Sequence, residues 1–220
     1  MISYFISRSL AADSPLRNWC RQQEIELVDQ SLLKFEEVPF GKLPEAIDWI
    51  FFYSPRAVFF FWKNDPLVAA GSRLAAIGPG TAASLTDLGK EVDFIGTGDP
   101  ATTAEEFEAV ATGKRVLFPR AQQSRRSIER ILGDKIDALD VVVYNNEQAP
   151  VAFPNGFKIL ILTSPLNVEA FFSENQLLAN SRIIALGPST AAALSDLGYE
   201  AEQAAAPTEE ALIELLAANR

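Results

Sequence analysis

The sequence predicts an α/β fold of two related halves, each a doubly wound parallel sheet, and three observations predict it. One element is written twice: Ser54-Pro55-Arg56-Ala57-Val58 returns as Ser164-Pro165-Leu166-Asn167-Val168. A second follows each copy, Gly78-Pro79-Gly80-Thr81-Ala82-Ala83-Ser84-Leu85-Thr86-Asp87-Leu88-Gly89 returning as Gly187-Pro188-Ser189-Thr190-Ala191-Ala192-Ala193-Leu194-Ser195-Asp196-Leu197-Gly198. The offsets, 110 and 109 residues in a chain of 220, mark two similar domains rather than a solenoid of short units. Third, short apolar runs alternate with segments of helical period, the pattern of βα units around a parallel sheet. Two such domains leave a cleft, and clefts are where ligands usually sit.

Taken in order, the expected strands are Ser3–Ser7, Trp49–Tyr53, Leu74–Ile77, Val92–Ile95, Val116–Phe118, Val141–Tyr144, Lys158–Leu162, Ile183–Leu186 and Tyr199–Gln203. Helices follow most of them. Ser54, Thr81, Thr102 or Thr103, Ser124, Ser164, Ser189 or Thr190, and Thr208 stand at the expected starts as capping or first-turn residues. Ile6-Ser7-Arg8 and Phe118-Pro119-Arg120 each end a strand in arginine before a helix, which extends the repeat. Each half then reads as four βα units in a flavodoxin-like sheet with right-handed crossovers. Leu32–Phe40 and Tyr144–Phe153 fall outside the scheme and read as extended linkers. The pattern fits either sequential halves or one domain inserted in the other.

Composition bounds the class. With 48% hydrophobic and 22% charged residues, the chain can bury one core or two small ones. No apolar stretch is long enough to span a bilayer, the start lacks a secretory pattern, and Cys20 has no partner for an internal disulfide. A cytoplasmic protein without a membrane partner is expected, and a monomer. The net charge of −10 argues against nucleic acid, which calls for a basic face.

Absences restrict the chemistry further. There is no histidine, hence no imidazole base and no Ser–His–Asp or Cys–His machinery. One cysteine and no histidine leave no usual zinc or iron–sulfur ligand set, and no dinucleotide or P-loop fingerprint is present. No cofactor and no metal is expected. Catalysis must use hydroxyls, carboxylates, Arg or Lys, and backbone amides.

The paired Ser-Pro and Gly-Pro-x-Thr-Ala elements, with Phe118-Pro119-Arg120-Ala121, Val142-Val143-Tyr144 and Pro207-Thr208-Glu209-Glu210-Ala211-Leu212, make the chain resemble the uroporphyrinogen-III synthase family over nearly its whole length. That resemblance implies a cofactor-free enzyme of porphyrin and heme biosynthesis. Such an enzyme cyclises hydroxymethylbilane, a linear tetrapyrrole with eight carboxylates, to uroporphyrinogen III. The terminal hydroxyl leaves as water, and a spiro intermediate lets the last ring invert. The resemblance also implies two flavodoxin-like domains joined by a two-stranded connector, with substrate in the cleft and hydroxymethylbilane synthase as a transient partner. One domain would comprise residues 1–34 and 152–220, the inserted one residues 35–151.

An acidic protein can still bind an octacarboxylate locally. Lys114, Arg115, Arg120, Arg125, Arg126, Arg130 and Lys135 face only Glu129 and Asp134 along their own segment. Helix N-termini accept carboxylates through unpaired N–H groups. The candidate binding residues are therefore Arg8, Ser54, Arg56, Gly78, Thr81, Arg120, Ser124, Ser164, Gly187, Ser189 and Thr190. The hydroxyls also cap helices whatever the function, and the segment 124–130 also reads as a solvated helix face. The runs Phe51-Phe52, Phe59-Phe60-Phe61 and Phe171-Phe172 read as core. Tyr144 ends a buried strand, which packing alone would explain. The resemblance puts the functional tyrosine there, donating a proton to the departing hydroxyl. A non-catalytic two-domain sensor of small anions is the alternative reading. A metal-dependent phosphate-ester enzyme has only Asp99 to recommend it.

Overall fold

The chain leaves every strand of a parallel sheet at its carboxyl end, and helix-starting residues stand at those points in this sequence. In the computed structural model, which describes residues 3–218, the elements begin with β1 (Ser3–Ile6), α1 (Pro15–Gln22), β2 (Glu26–Asp29) and β3 (Leu33–Glu37). They continue through β4 (Trp49–Phe52), α2 (Pro55–Lys63), β5 (Arg73–Ala76), α3 (Pro79–Asp87), β6 (Phe94–Ile95) and α4 (Pro100–Ala111). Then come β7 (Arg115–Ala121), α5 (Ser127–Leu132), a 3₁₀ turn at Gly133–Lys135 and β8 (Asp137–Gln148). The last part runs through β9 (Ile159–Leu162), α6 (Pro165–Glu174), β10 (Arg182–Ala185), α7 (Pro188–Asp196), β11 (Glu202–Gln203) and α8 (Glu209–Ala218).

Two compact units result, Met1–Lys34 with Glu147–Arg220, and Phe35–Asn146. The first unit's sheet runs β2-β1-β9-β10-β11 with every pairing parallel. The second sheet runs β3-β8-β7-β4-β5-β6, parallel from β8 to β6. Counted along the chain, the first order is 2-1-3-4-5, the flavodoxin-like sequence of strands. The second becomes the same order when its chain is counted from β7, so the two units are circular permutations of one pattern. The match pairs β9 with β4, β10 with β5 and β1 with β7. Those are the strands that lead to the Ser-Pro, Gly-Pro and Arg elements of the repeat.

Alternation along the strands fills both faces of each sheet. In β4, Ile50 and Phe52 join the core beneath α2 and α3, while Trp49 and Phe51 join the one beneath α4 and α5. In β9, Ile159 and Ile161 pack toward α1 and α8, and Leu160 and Leu162 toward α6 and α7. Phe5, Phe51, Phe52, Phe61 and Phe118 are fully enclosed. Each such ring stabilises the fold by about 1.5–3 kcal/mol relative to exposure. Phe59 departs from the core expectation at 59% exposed, because it falls on the outer face of α2.

Three segments add to or refine the sequence expectation. Glu26–Asp29 forms a strand that no apolar run announces, since an edge strand half-open to solvent needs little more than Leu27 and Val28. The linkers at Leu32–Phe40 and Tyr144–Phe153 contain β3 and the end of β8, neighbours in one sheet, with Val38 N donating to Val143 O at 3.0 Å. Residues 147–151, expected in the inserted domain, pack with the first unit. There Ala149 N donates to Leu32 O at 2.8 Å and Gln148 Nε2 to Glu169 Oε2 at 2.6 Å.

The repeat's two glycine turns differ in one respect. A Cβ on Gly78 would lie 2.9 Å from Gly98 Cα, whereas one on Gly187 would meet nothing within 4 Å. Gly78→Ala is therefore expected to cost about 1–3 kcal/mol in denaturant unfolding, as overpacking against fixed backbone does. Gly187→Ala should stay within about 1 kcal/mol of wild type.

Candidate functional site

The repeated elements sit at the carboxyl edge of each sheet, and local chemistry explains how they are held. Ser54 and Ser164 have extended backbones and cap α2 and α6, accepting from Ala57 N at 3.2 Å and Asn167 N at 3.3 Å. Proline follows each cap at the first helical position, where its missing N–H costs nothing. Gly78 and Gly187 begin α3 and α7 without a side-chain cap. One turn on, Thr81 and Thr190 are 4% and 2% exposed, and no group among the described residues pairs with either hydroxyl. Ser189 is exposed beside Thr190.

In the first unit this edge is tied by hydrogen bonds that sequence reasoning missed. Ser7 Oγ lies 3.0 Å from Thr163 Oγ1 and accepts from Thr163 N at 2.9 Å. Asn167, 3% exposed, donates to Ser164 Oγ at 2.9 Å and accepts from Leu32 N at 3.1 Å. Only parallel pairing of β1 with β9 brings residues 7 and 163 together. Arg8 leaves this edge to meet Glu209 at 3.4 Å. Glu209, at the start of α8, also accepts from Ser14 Oγ and from Leu16 N, so Arg8 joins a clasp between α1 and α8.

The second unit holds the denser cluster. Arg120 is 6% exposed; it pairs with Asp140 at 2.9 Å and donates to Ala121 O at 3.0 Å and Gln122 O at 3.3 Å. Arg126 reaches the other oxygen of Asp140 at 3.0 Å. Tyr53 Oη donates to Glu129 Oε2 at 3.3 Å. Burial, with the Asp140 charge next, raises the Glu129 pKa; burial and then the Glu129 charge raise that of Tyr53.

Two expectations about this region are corrected. Ser124 does not start a helix: α5 begins at Ser127 after Arg126 in the left-handed region at φ 52°, and Ser124 Oγ accepts from Arg126 N at 3.3 Å. The cations of residues 114–135 are also less free than their own segment suggests. Asp137 takes Arg115 at 2.6 Å, Asp140 takes Arg120 and Arg126, and Glu108 takes Lys135 at 2.7 Å. These acids come from β8 and α4, out of reach of a linear reading.

Tyr144 is positioned by an irregularity. Between β7 and β8 the register passes from Arg120↔Val142 to Ala121↔Tyr144, leaving Val143 as an extra residue. Such a bulge re-aims the side chain beyond it. Val143 and Tyr144 consequently both enter the core beneath α2. The Tyr144 ring stacks on Phe60 at 5.2 Å and 20° and leans on Phe35 at 6.2 Å, and its hydroxyl has no hydrogen-bond partner among the described residues. Beside it Arg56 lies over the Phe35 ring, 3.4 Å from the centroid. Partial burial lowers the Arg56 pKa, and the nearby Tyr144 opposes that shift. Phe35, Ser54, Pro55, Arg56, Phe59 and Phe60 line an open pocket of about 500 Å³. The sequence pointed to Ser54 and Arg56 alone. Phe59 and Phe60 looked like core, and Phe35 fell in a linker.

Among the described residues no cluster of three metal-ligating side chains occurs, and no helix is long and apolar enough to cross a membrane. The profile of the family "Uroporphyrinogen-III synthase HemD" matches residues 15–214. The chain belongs to that family. No curated protein sequence matches it. Among solved structures, a uroporphyrinogen-III synthetase from Helicobacter pylori 26695 is 24% identical over 100% of both chains, with a TM-score of 0.76. A mutant uroporphyrinogen III synthase from Thermus thermophilus is 14% identical, over 99% of this chain and 98% of that one, with a TM-score of 0.59. Both likenesses concern the fold.

Arg120 and Glu129 lend themselves to direct tests. Arg120→Ala should destabilise the protein by about 1–3 kcal/mol in chemical denaturation, since it removes a buried guanidinium bound to Asp140 and two carbonyls while Arg126 stays on Asp140. Arg120→Lys should not restore it, because one ammonium cannot span Asp140 and two carbonyls. For Glu129, the raised pKa means that its contribution is most favourable below the ordinary carboxylate pKa of about 4.3 and is lost as pH rises through the folded value. Glu129→Gln should therefore raise the Tm at neutral pH, and thermal melts should show the gain disappear near about pH 4.

Proposed function

We propose that Tyr144 and the carboxyl-edge turns of the two units carry out the family's reaction, the closure of hydroxymethylbilane to uroporphyrinogen III. Membership of the synthase family across residues 15–214 is the observation that carries the reaction itself. The chemistry asks little of the protein as an acid or base. A pyrrole nitrogen lone pair expels the terminal hydroxyl, and one proton must reach that oxygen as the C–O bond breaks, so that water leaves. We assign the proton to Tyr144, which stands opposite Ala121 at the end of β7 and whose hydroxyl has no partner among the described residues. The cationic methylene bonds to the substituted carbon of the last ring to give the spiro arrangement. That carbon's older bond to its neighbouring methylene breaks, the methylene re-bonds at the ring's free carbon, and the proton released there returns to the tyrosine oxygen. All of this must outrun simple closure. Holding the chain folded is therefore the larger part of the catalysis.

Eight carboxylates are met chiefly by dipoles. The starts of α2, α3, α6 and α7 offer unpaired N–H groups at Ser54, Gly78, Ser164 and Gly187. The free hydroxyls of Thr81 and Thr190, with Ser189, are read as carboxylate donors, and Thr190 carries more weight. Of the arginines, Arg56 is available to substrate. Arg8 and Arg120 are held by Glu209 and Asp140, so they shape the edge. Ser124, turned to its own loop, is assigned a minor part. We read the protein as a cytoplasmic monomer that meets hydroxymethylbilane synthase transiently and needs no cofactor.

Purified protein incubated with freshly made hydroxymethylbilane, followed by oxidation and separation of the uroporphyrin isomers, should give mainly isomer III. Isomer I alone, at the uncatalysed rate, would overturn the synthase reading in favour of a binding module. Tyr144→Phe keeps the ring stacked on Phe60, so the melt should stay close to wild type while kcat falls on the order of 10²-fold. An unchanged kcat removes the tyrosine from the mechanism.

A further inference from the structure

The pocket beneath Arg56 marks a place where the two copies of the repeat part company. With the offset of 110, Ser54, Pro55, Val58 and Phe61 match Ser164, Pro165, Val168 and Phe171. These are the caps and core positions that any such unit needs. Arg56, Phe59 and Phe60 correspond instead to Leu166, Glu169 and Ala170. Phe60, like Ala170, belongs to its unit's core, but the exposed Arg56 and Phe59 are not needed to build the fold, and something other than folding accounts for them.

What they build is specific. Phe59 is 59% exposed and stands edge-on to Phe60 at 5.1 Å and 80°. Arg56 rests on the Phe35 face, which restrains its guanidinium. Unlike Arg115, Arg120 and Arg126, it pairs with no carboxylate among the described residues, and Lys63 on the same helix is taken by Glu37 at 2.7 Å. A volume of about 500 Å³ suits a small flat ligand. A rigid unpaired fork beside two aromatic walls calls for a planar, electron-rich ring that bears a carboxylate. Tyr144 stacks on Phe60 at 5.2 Å.

We propose that this trough seats one pyrrole ring of the substrate, with Arg56 taking that ring's carboxylate and Phe59 and Phe60 its faces and edges. The proposal rests on the synthase reading for the identity of the ring, and on Arg56, Phe59 and Phe60 for the place. A ring so held is anchored beside Phe60, on which Tyr144 stacks. Arg56 is thereby a specificity-determining residue, reading a ring with an acidic substituent and refusing one without.

The copy of the repeat supplies the substitutions that test this, because Leu166 and Glu169 already occupy the equivalent positions of the other unit without disturbing its fold. Arg56→Leu should raise KM for hydroxymethylbilane about tenfold with a smaller change in kcat, and Arg56→Lys should recover part of the loss. Phe59→Glu should raise KM further by setting a like charge against the substrate. In parallel, porphobilinogen, a single pyrrole carrying two carboxylates, is titrated while Phe59 and Phe60 ring signals are followed by NMR. Shifts are expected in wild type and not in Arg56→Leu, and 2,5-dimethylpyrrole should give none in either. A KM within about twofold of wild type in Arg56→Leu, with isomer III still formed, overturns the trough and leaves the synthase reading standing. If wild type forms no isomer III, the synthase reading falls and the titration alone decides: shifts lost on Arg56→Leu uphold the trough, and their absence from wild type overturns it.

Discussion

Every feature of the candidate site depends on one constraint of parallel sheets: each strand is left at its carboxyl end, and the next helix must start there. In this protein Arg8, Ser54, Gly78, Ser164 and Gly187 stand at those exits, and the backbone groups at the helix starts point away from the strands that precede them. The edge is therefore rich in N–H donors before any side chain is chosen. Caps at Ser54 and Ser164 satisfy one donor each and leave others open. The close approach of Gly78 to Gly98, and the hydrogen bond from Gly98 N to Ile77 O at 2.7 Å, hold one of these turns against its neighbour.

That constraint resolves the mismatch between an acidic chain and an acidic substrate. The formal charge of −10 is spread over the protein, and much of the positive charge near β7 is consumed internally by Asp137, Asp140 and Glu108. Dipoles remain, together with a few placed cations. Dipoles fixed by the fold need no reorganisation when the ligand arrives, and they do not repel one another as a cluster of lysines would. The guanidinium of Arg56, which has no carboxylate partner among the described residues, then carries information that the uniform turns lack. It distinguishes one unit from the other.

The repeat, the strand–helix alternation and the caps were legible because they follow from local chemistry: a serine before proline at the end of an apolar run has few other uses. Four features were not. Arg120 looked like a ligand because Asp140, twenty positions on, meets it only through the register of β7 and β8. Phe59 looked like core because a run of three phenylalanines does not say which ring a nine-residue helix turns outward. Tyr144 was read as the end of a buried strand, whereas β8 runs on to Gln148 and is largely open, and the bulge at Val143 that turns the ring beneath α2 leaves no trace in Val141-Val142-Val143-Tyr144. β2 was missed for the same reason that it survives at an edge, since half-open strands need no apolar pattern.

The first unit is discontinuous, and this orders events as the chain emerges during synthesis. Residues 35–146 form a unit whose partners all lie within that one stretch, and all of it is synthesised before β9, which begins at Ile159. β1 must wait: Tyr4 pairs with Ile159, far down the chain. Until then Phe5 has no Phe157 or Phe171 to meet, and β1 and β2 are two strands without the rest of their sheet. Prior folding of residues 35–146 shortens that wait, because a folded insert brings its two ends under control and cuts the entropy of closing the loop. The inserted half is thus the scaffold on which the first strand finds its partner.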